Sequence, residues 1–517
     1  MKLVKSLLLG SAAGLIAVGG AQAADLPVKA KAVEYVKVCS LYGAGFYYIP
    51  GTDTCIKLGG YLRMDVLGNT NTVVSGNTNG AGGAQNRFTN DFTWRSREDL
   101  NIDTRTATEY GVVRTFFDAV FTWTSGTYTG TGNGASVYES IGGVQAPQNA
   151  SQGNVAGGTL GVYYAFIQFA GFTMGKAVSQ FAAPWTAYPG NNYDGLVGGM
   201  NTTTGVNQFS YTFDFGQGVT AAISAQDPTQ YTQAGVFNVN AGGLFGTSDY
   251  AGTKAPDVIG MVRVDQAWGL FQASVAAHDN NAAYYTNANT AIGGTQAVGG
   301  PADKWGWAAA LALQIKNIPT GPGDDIKVQG VYTNGATRYN IGDLAGPAGS
   351  AAVFGGAIRP GSFQSIGFGM APDSVFGTNG EQQLVTTWGF RGAYTHNWDP
   401  YWNTSLFGAY AAVSYNGTAK ALICGVGGVG GSFRTVGHFV GTSCNPDYNI
   451  GQLGLITRWT PVKNLTFSGE AVYTMLDQKM AGTITQNANV GIGKPTATYD
   501  LKNQETWTFL LRAQRNW

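Results

Sequence analysis

Chemistry in this chain has to come from arginines and aspartates, because the other reactive side chains are few and scattered. The three histidines, His278, His396 and His438, lie far apart in the sequence. None belongs to a nucleophile or metal motif such as Gly-x-Ser-x-Gly or His-Glu-x-x-His. His396, beside the turn "HNWDP", reads as an interfacial histidine next to Trp398. No catalytic residue, cofactor or metal site is expected, and the chain is read as not an enzyme. The four cysteines form two local pairs, Cys39 with Cys55 and Cys424 with Cys444. No Cys-x-x-Cys or neighbouring histidine completes a zinc set. In an exported chain the pairs read as two loop-closing disulfides, with buried thiols as the alternative. What remains is fixed charge. In "TWRSREDLNIDTRTATEYG", residues 93–111, Arg95, Arg97, Asp99, Asp103 and Arg105 all fall on one parity. Guanidiniums stay ionised, so a stiff element carrying them either sets up a field across water or pairs with carboxylates to brace itself.

A parity of two belongs to strands, whose side chains alternate between faces. In 94–105 the other parity carries Trp94, Ser96, Leu100 and Ile102, with Glu98 the exception. In 56–66, Leu58, Leu62, Met64 and Val66 oppose Lys57, Tyr61, Arg63 and Asp65. In 304–316, Trp305, Trp307, Leu311, Leu313 and Ile315 oppose Lys304, Gln314, Lys316 and four small residues. The chain ends the same way, Trp507, Phe509, Leu511, Ala513, Arg515 and Trp517 alternating with Thr508, Leu510, Arg512, Gln514 and Asn516. Sixteen such segments follow one another: 56–67, 89–104, 109–123, 159–170, 172–180, 206–215, 219–227, 257–267, 270–278, 304–317, 325–336, 383–396, 401–415, 449–460, 465–477 and 503–517. Short connections such as 106–109, 397–400 and 460–464 alternate with long ones such as 68–88, 124–158, 228–256, 337–382 and 416–448. Antiparallel strands joined in this way place all turns at one end and all loops at the other.

The first 23 residues carry Lys2 and Lys5, an apolar stretch and Ala21-Gln22-Ala23, which predicts a secretory signal peptide cleaved before Ala24. Its apolar stretch of about a dozen residues is short of the ~20 a spanning helix needs. Losing Lys2 and Lys5 from 30 basic against 30 acidic residues leaves −2, which gives no reason to expect nucleic acid. Glycine is abundant at 77 of 517 residues, aromatics make up 12% and charged residues only 12%, against the roughly 25% usual for soluble domains. A soluble β-sandwich also alternates. It needs neither export nor tryptophans at strand ends, where Trp94, Trp123, Trp402, Trp459, Trp507 and Trp517 stand. The expected fold is all-β, a transmembrane antiparallel barrel of sixteen strands. It is closed because an open edge in hydrocarbon leaves backbone amides unpaired. Residues 24–55 form a periplasmic segment leading into the barrel of 56–517, with loops outward and turns in the periplasm of the bacterial outer membrane.

Residues 34–66, "EYVKVCSLYGAGFYYIPGTDTCIKLGGYLRMDV", resemble the start of the porins of alphaproteobacteria, and "AQAADLP", "TWRSREDLNIDTRTATEYG" and the closing aromatic match as well. The resemblance implies a homotrimer and passive diffusion of small hydrophilic solutes and ions. It also implies a terminal aromatic, here Trp517, that resembles an insertion signal read by the assembly machinery. Lipid and lipopolysaccharide are the expected surroundings.

In such porins the third outer loop folds into the lumen and narrows it. Here that loop is about 181–205, whose one acid is Asp194 and whose Trp185, Tyr188, Tyr193 and Leu196 suit packing against the wall; a loop lying at the rim is the alternative. By parity Arg63, Arg95, Arg97 and Arg114 face it across the constriction. Asp65, Asp99, Asp103 and Asp118 share their faces and either contribute to the field or pair with the arginines. Arg263, Asp265, Lys327, Arg391, Arg458 and Glu470 also have lumen parity. The rival readings are a substrate-specific channel, and an adhesin or receptor anchored by its barrel. The loops read as polar, Gly/Asn/Thr-rich and poor in large apolar anchors, which suits solvated covers.

Overall fold

A computed structural model describes residues 37–70, 92–124, 140–141, 144–145, 159–185, 188–200, 204–229, 232–240, 247–248, 250–285, 298–342, 352–355, 365–377, 380–425, 432–435, 437–486 and 497–517. The expected signal segment 1–23 lies outside them.

Sixteen antiparallel strands close on themselves. They are β1 (Thr54–Asn69), β2 (Phe92–Thr108), β3 (Gly111–Thr124), β4 (Thr159–Phe169), β5 (Phe172–Ala177), β6 (Val206–Asp214), β7 (Val219–Gln226) and β8 (Asp257–Gln266). Then follow β9 (Gly269–Asn280), β10 (Lys304–Lys316), β11 (Asp325–Asn334), β12 (Thr386–Asn397), β13 (Trp402–Ser414), β14 (Tyr448–Val462), β15 (Leu465–Gln478) and β16 (Gln504–Asn516). Each pairs with its neighbour in sequence, and β16 returns to β1 with Tyr61 opposite Asn516 and Asn69 opposite Thr508. Every expected segment coincides with one strand. The ends shift: β2 runs to Thr108 rather than 104, and β5 stops at Ala177 rather than 180.

The wall is inside out relative to a soluble sheet. Leu62, Leu311, Phe509 and Leu511 are exposed on the outer face, Leu511 at 62%, while Ala308, Ala310 and Ala312 are buried inside. Such a surface is stable only under lipid, which covers the apolar band. Tryptophans mark both rims of that band. Trp94, Trp305, Trp307, Trp388 and Trp507 sit near the loop-side ends of their strands. Trp268, Trp398, Trp402, Trp459 and Trp517 sit at the turn side, with Trp402 and Trp459 stacked at 5.7 Å. These are the interfacial girdles expected of a membrane barrel. His396 lies among them, edge-on to Trp398 at 4.3 Å.

The first and last strands of the barrel are fastened at the turn side. The Trp517 N–H donates to Gly60 O at 3.1 Å, and its ring lies over Gly60, where a Cβ would collide with the Asp99 carbonyl. The segment before β1 is pinned by the Cys39–Cys55 disulfide, packed with Phe46.

The loops differ from the expected solvated covers. Residues 352–355, 365–369, 497–501, 481–486 and 440–443 form a five-stranded sheet outside the barrel wall, and 247–248, 236–238, 374–376 and 383–384 a four-stranded one. A helix, α1 (Gly417–Cys424), starts where Asn416 Oδ1 accepts from Ala419 N at 2.8 Å and ends at left-handed Gly425. The Cys424–Cys444 disulfide ties it down. Phe237, Phe368, Val375, Leu422 and Phe433 form one buried cluster that continues to Leu196 and Val197 inside the barrel. The apolar residues of these loops are spaced too irregularly to declare themselves as strands, so composition alone read them as polar. Their core makes them a folded cap.

Candidate functional site

Between β5 and β6, the described residues 178–185, 188–200 and 204–205 turn into the barrel. Irregular backbone inside a barrel must find partners for its amides and carbonyls, and long polar side chains of the wall provide them. On β15, Glu470 accepts from Asn192 N at 2.9 Å and Tyr193 N at 3.2 Å. On β14, Gln452 accepts from Val197 N and donates to Gly195 O, both at 2.9 Å, and Arg458 donates to Gly190 O at 2.7 Å. On β12, Arg391 donates to Met200 O at 2.5 Å, and on β9 Gln272 donates to Ala182 O at 3.0 Å. Asn340 O, just past β11, accepts from Gly198 N and Gly199 N at 3.0 Å each. Gly198 has φ +88°, and a Cβ there would sit 2.5 Å from the Phe390 carbonyl. The segment therefore lies directly on the β9–β15 half of the wall.

The remaining space is a cavity of ≈ 710 Å³ between the segment and the opposite wall. Its far side carries Tyr61 and Arg63 of β1, Arg97 and Asp99 of β2, Asp118 of β3, Tyr163 and Tyr164 of β4, and Arg512 of β16. The segment contributes Trp185, Tyr188, Asn191, Asn192 and Asp194. Asp325, Lys327 and Arg458 complete the charged lining. Asp194 reaches across to the far wall, where its carboxylate lies 3.7 Å from Arg95 Nη1. Arg95 is also held by Asp65 at 2.6 Å, and Asp65 by Arg512 at 2.6 Å.

Of the residues singled out from sequence, Asp194, Arg63, Arg97, Asp99, Asp118 and Arg458 border the cavity. Four others do not line open water. Asp65 is 2% exposed between Arg95 and Arg512, and Arg95 is itself buried. Arg391 is 1% exposed and Glu470 is buried, because the segment covers both. Arg114 is a correction of position. It pairs with Arg105, three residues from the turn-side end of β3, and bonds Asp103 and Gln168 rather than facing Asp194. Arg263 bonds Gln272, the residue that holds Ala182. Sequence reasoning passed over Arg512, although it shares a parity with Thr508 and Gln514. It also passed over Gln452 and Gln272, uncharged residues that carry no signal until the segment lies on them.

The family model of the porin subfamily matches residues 25–510. The chain belongs to that subfamily. Porin Omp2b of Brucella suis biovar 1 is 35% identical over 282 residues, 54% of this chain and 66% of that protein. Porin Omp2b of Brucella melitensis biotype 1 is 34% identical over the same length. The match thus spans just under two thirds of these relatives. Among solved structures, the outer membrane channel DcaP of Acinetobacter baumannii shares the fold with a TM-score of 0.53 at 14% identity, over 91% of this chain and 99% of that chain. The barrel belongs to the bacterial outer membrane.

Proposed function

We propose that this porin is a water-filled channel for passive diffusion of small hydrophilic solutes and ions, narrowed by segment 181–205. The observation that carries the reading is the inward segment, which covers half the wall and leaves a charged aqueous cavity along the other half. Asp194 on one side and Arg63, Arg97 and Arg512 on the other set a transverse field, so a solute passing there aligns its dipole and exchanges water for side chains. Residues 1–23 serve as the signal peptide, and Trp517 as the terminal aromatic read during insertion.

The assembly is a homotrimer among outer-membrane lipid and lipopolysaccharide. Glu98 supports it: on the outer face of β2 it sits in register between the exposed Leu62 and Phe121. A carboxylate there is costly against lipid and is better placed under protein. Planar-bilayer recording across a salt gradient tests the channel, with Asp194→Asn as the variant. Openings in steps of three, with a reversal potential that moves in the variant, are expected. Steps without that movement would remove Asp194 from the constriction. Silence from folded protein would favour a barrel-anchored adhesin.

A further inference from the structure

Strand β4 departs from regular pairing at one place, beside the cavity. Asp118 pairs with Tyr164 and the next residue of β3, Ala119, with Val162, so Tyr163 is one residue too many on its strand. Such a bulge re-aims side chains. Leu160 and Val162 are exposed on the outer face before it and Ile167 after it, while Tyr163 and Tyr164, neighbours in the chain, both border the cavity. A regular strand would send one of the two into lipid. The carbonyls that the bulge takes out of the ladder are satisfied. Lys176 Nζ donates to Val162 O at 2.7 Å, and Gly205 N, at the end of the inward segment, donates to Tyr163 O at 3.0 Å. The Tyr163 ring lies over Gly161, where a Cβ would come within 3.1 Å of its Cε1. Two carboxylates share this wall. Asp99 stands opposite Tyr61 and Asp118 opposite Tyr164, and all four border the cavity. Asp99 accepts from Asn101. Among the described residues Asp118 Oδ1 has no hydrogen-bond partner, although Asp118 is only 7% exposed. A buried carboxylate oxygen of that kind lacks a donor.

We propose that Tyr163, together with Asp99 and Asp118, forms a subsite for the ring of a neutral sugar. A pyranose has a flat C–H face that packs on an aromatic ring, and a rim of hydroxyls that both donate and accept. The bulge supplies the aromatic ring. Asp118 Oδ1 supplies the acceptor for one hydroxyl, and Asp99 the acceptor for another. Charge points the same way. Arg63 and Arg97 border the same cavity as Asp99 and Asp118, so an anion is opposed by the carboxylates and a cation by the guanidiniums. A hydroxyl can accept from one kind and donate to the other. The cavity of ≈ 710 Å³ also lies within the range of small-ligand sites, about 300–1,000 Å³. This solute class rests on the channel reading for the route by which the sugar arrives, but binding can be assayed without transport.

The test is saturation-transfer NMR on the full chain, folded in a detergent without a sugar headgroup, with glucose as the probe and its open-chain polyol sorbitol as the control. Transfer to the glucose ring protons is expected, and little to sorbitol, which has the hydroxyls without the flat face. Tyr163→Ala should weaken glucose binding about tenfold, and Tyr163→Phe should retain it. Asp118→Asn, which keeps the shape of the side chain, should weaken it about fivefold, the worth of one hydrogen bond. Tyr110→Ala, at the exposed turn between β2 and β3, should bind as the parent does. In liposomes, glucose entry should saturate with concentration in the parent and rise linearly in Tyr163→Ala. No transfer to glucose from folded protein, equal transfer to sorbitol, or unchanged binding in either Tyr163→Ala or Asp118→Asn would overturn the subsite, even where the vesicles take up glucose. Binding without any uptake would instead sink the channel reading and leave the subsite standing.

Discussion

The two halves of the lumen wall share one sequence signal and have opposite fates. Along β9–β15 the inward segment takes up Glu470, Gln452, Arg391 and Gln272, each of which ends on one of its backbone groups, while Asp325, Lys327 and Arg458 still border the cavity. Along β16 and β1–β4, Arg63, Arg97, Asp99 and Asp118 border the cavity, the two arginines half-buried and the two aspartates buried beside them. Parity distinguishes inside from outside, and nothing in it distinguishes a strut from a pore residue. The difference is made by the segment itself. Its glycines at 190, 198 and 199 let it lie against the wall, and its backbone needs partners there.

Breaking the held half should have the largest effect. Glu470→Ala removes the shared acceptor of two buried N–H groups, Asn192 and Tyr193. Each orphaned donor costs about 1–3 kcal/mol. The expected outcome is a loss of about 2–6 kcal/mol in urea unfolding of the lipid-embedded protein, together with larger and noisier single-channel currents. Unchanged current noise would show that the segment does not depend on this anchor. The cap comes next. Reduction of Cys424–Cys444, or replacement of both by serine, frees a 20-residue separation. Closures of that length contribute about 2–4 kcal/mol. The loss should appear as protease cleavage in the cap while the barrel strands stay protected. Cleavage no faster than in the parent would mean that the cap core holds α1 without the disulfide.

The barrel was legible because a membrane wall makes its period visible: Leu58, Leu62, Met64 and Val66 must face lipid, so Arg63 and Asp65 must face inward. Closure followed from the same constraint, and the turn-side position of Trp517 from an even number of strands. The cap was not legible, since Phe237, Phe368 and Phe433 are separated by long stretches of small polar residues. They meet only when three loops fold together. Arg114 was misplaced for a related reason. Parity fixes a face, but height along a tilted strand depends on the register, which puts Arg114 beside Arg105.

On the bare half, Arg97→Gln removes a guanidinium that stands directly opposite Arg63 and whose buried Nε has no hydrogen-bond partner, so folding stability should not fall. Conduction should change all the same, with the reversal potential shifting toward cation preference. A large drop in stability would turn Arg97 into a strut and erase the contrast between the halves.

The smallest effect belongs to the turn before β11, on the held half. Burial alone would raise the Asp324 carboxyl. Donation from Thr320 Oγ1 at 2.6 Å, from Asn397 N at 2.8 Å and from His396 Nδ1 at 2.6 Å instead holds it well below the usual carboxylate range. A carboxyl depressed in the folded state stabilises it above the unfolded pKa, about 3.9, and loses that contribution as pH falls through the folded value. Asp324→Asn keeps the shape and removes the titration. The parent should therefore melt higher than the variant near neutral pH, and the gap should narrow as the pH is lowered below about 4. A gap of constant size across that range would mean that the three donors bind the neutral amide as well as the carboxylate. The seam from β10 to β12 would then be held by hydrogen bonds alone, as the inward segment is held by Gln452 and Gln272.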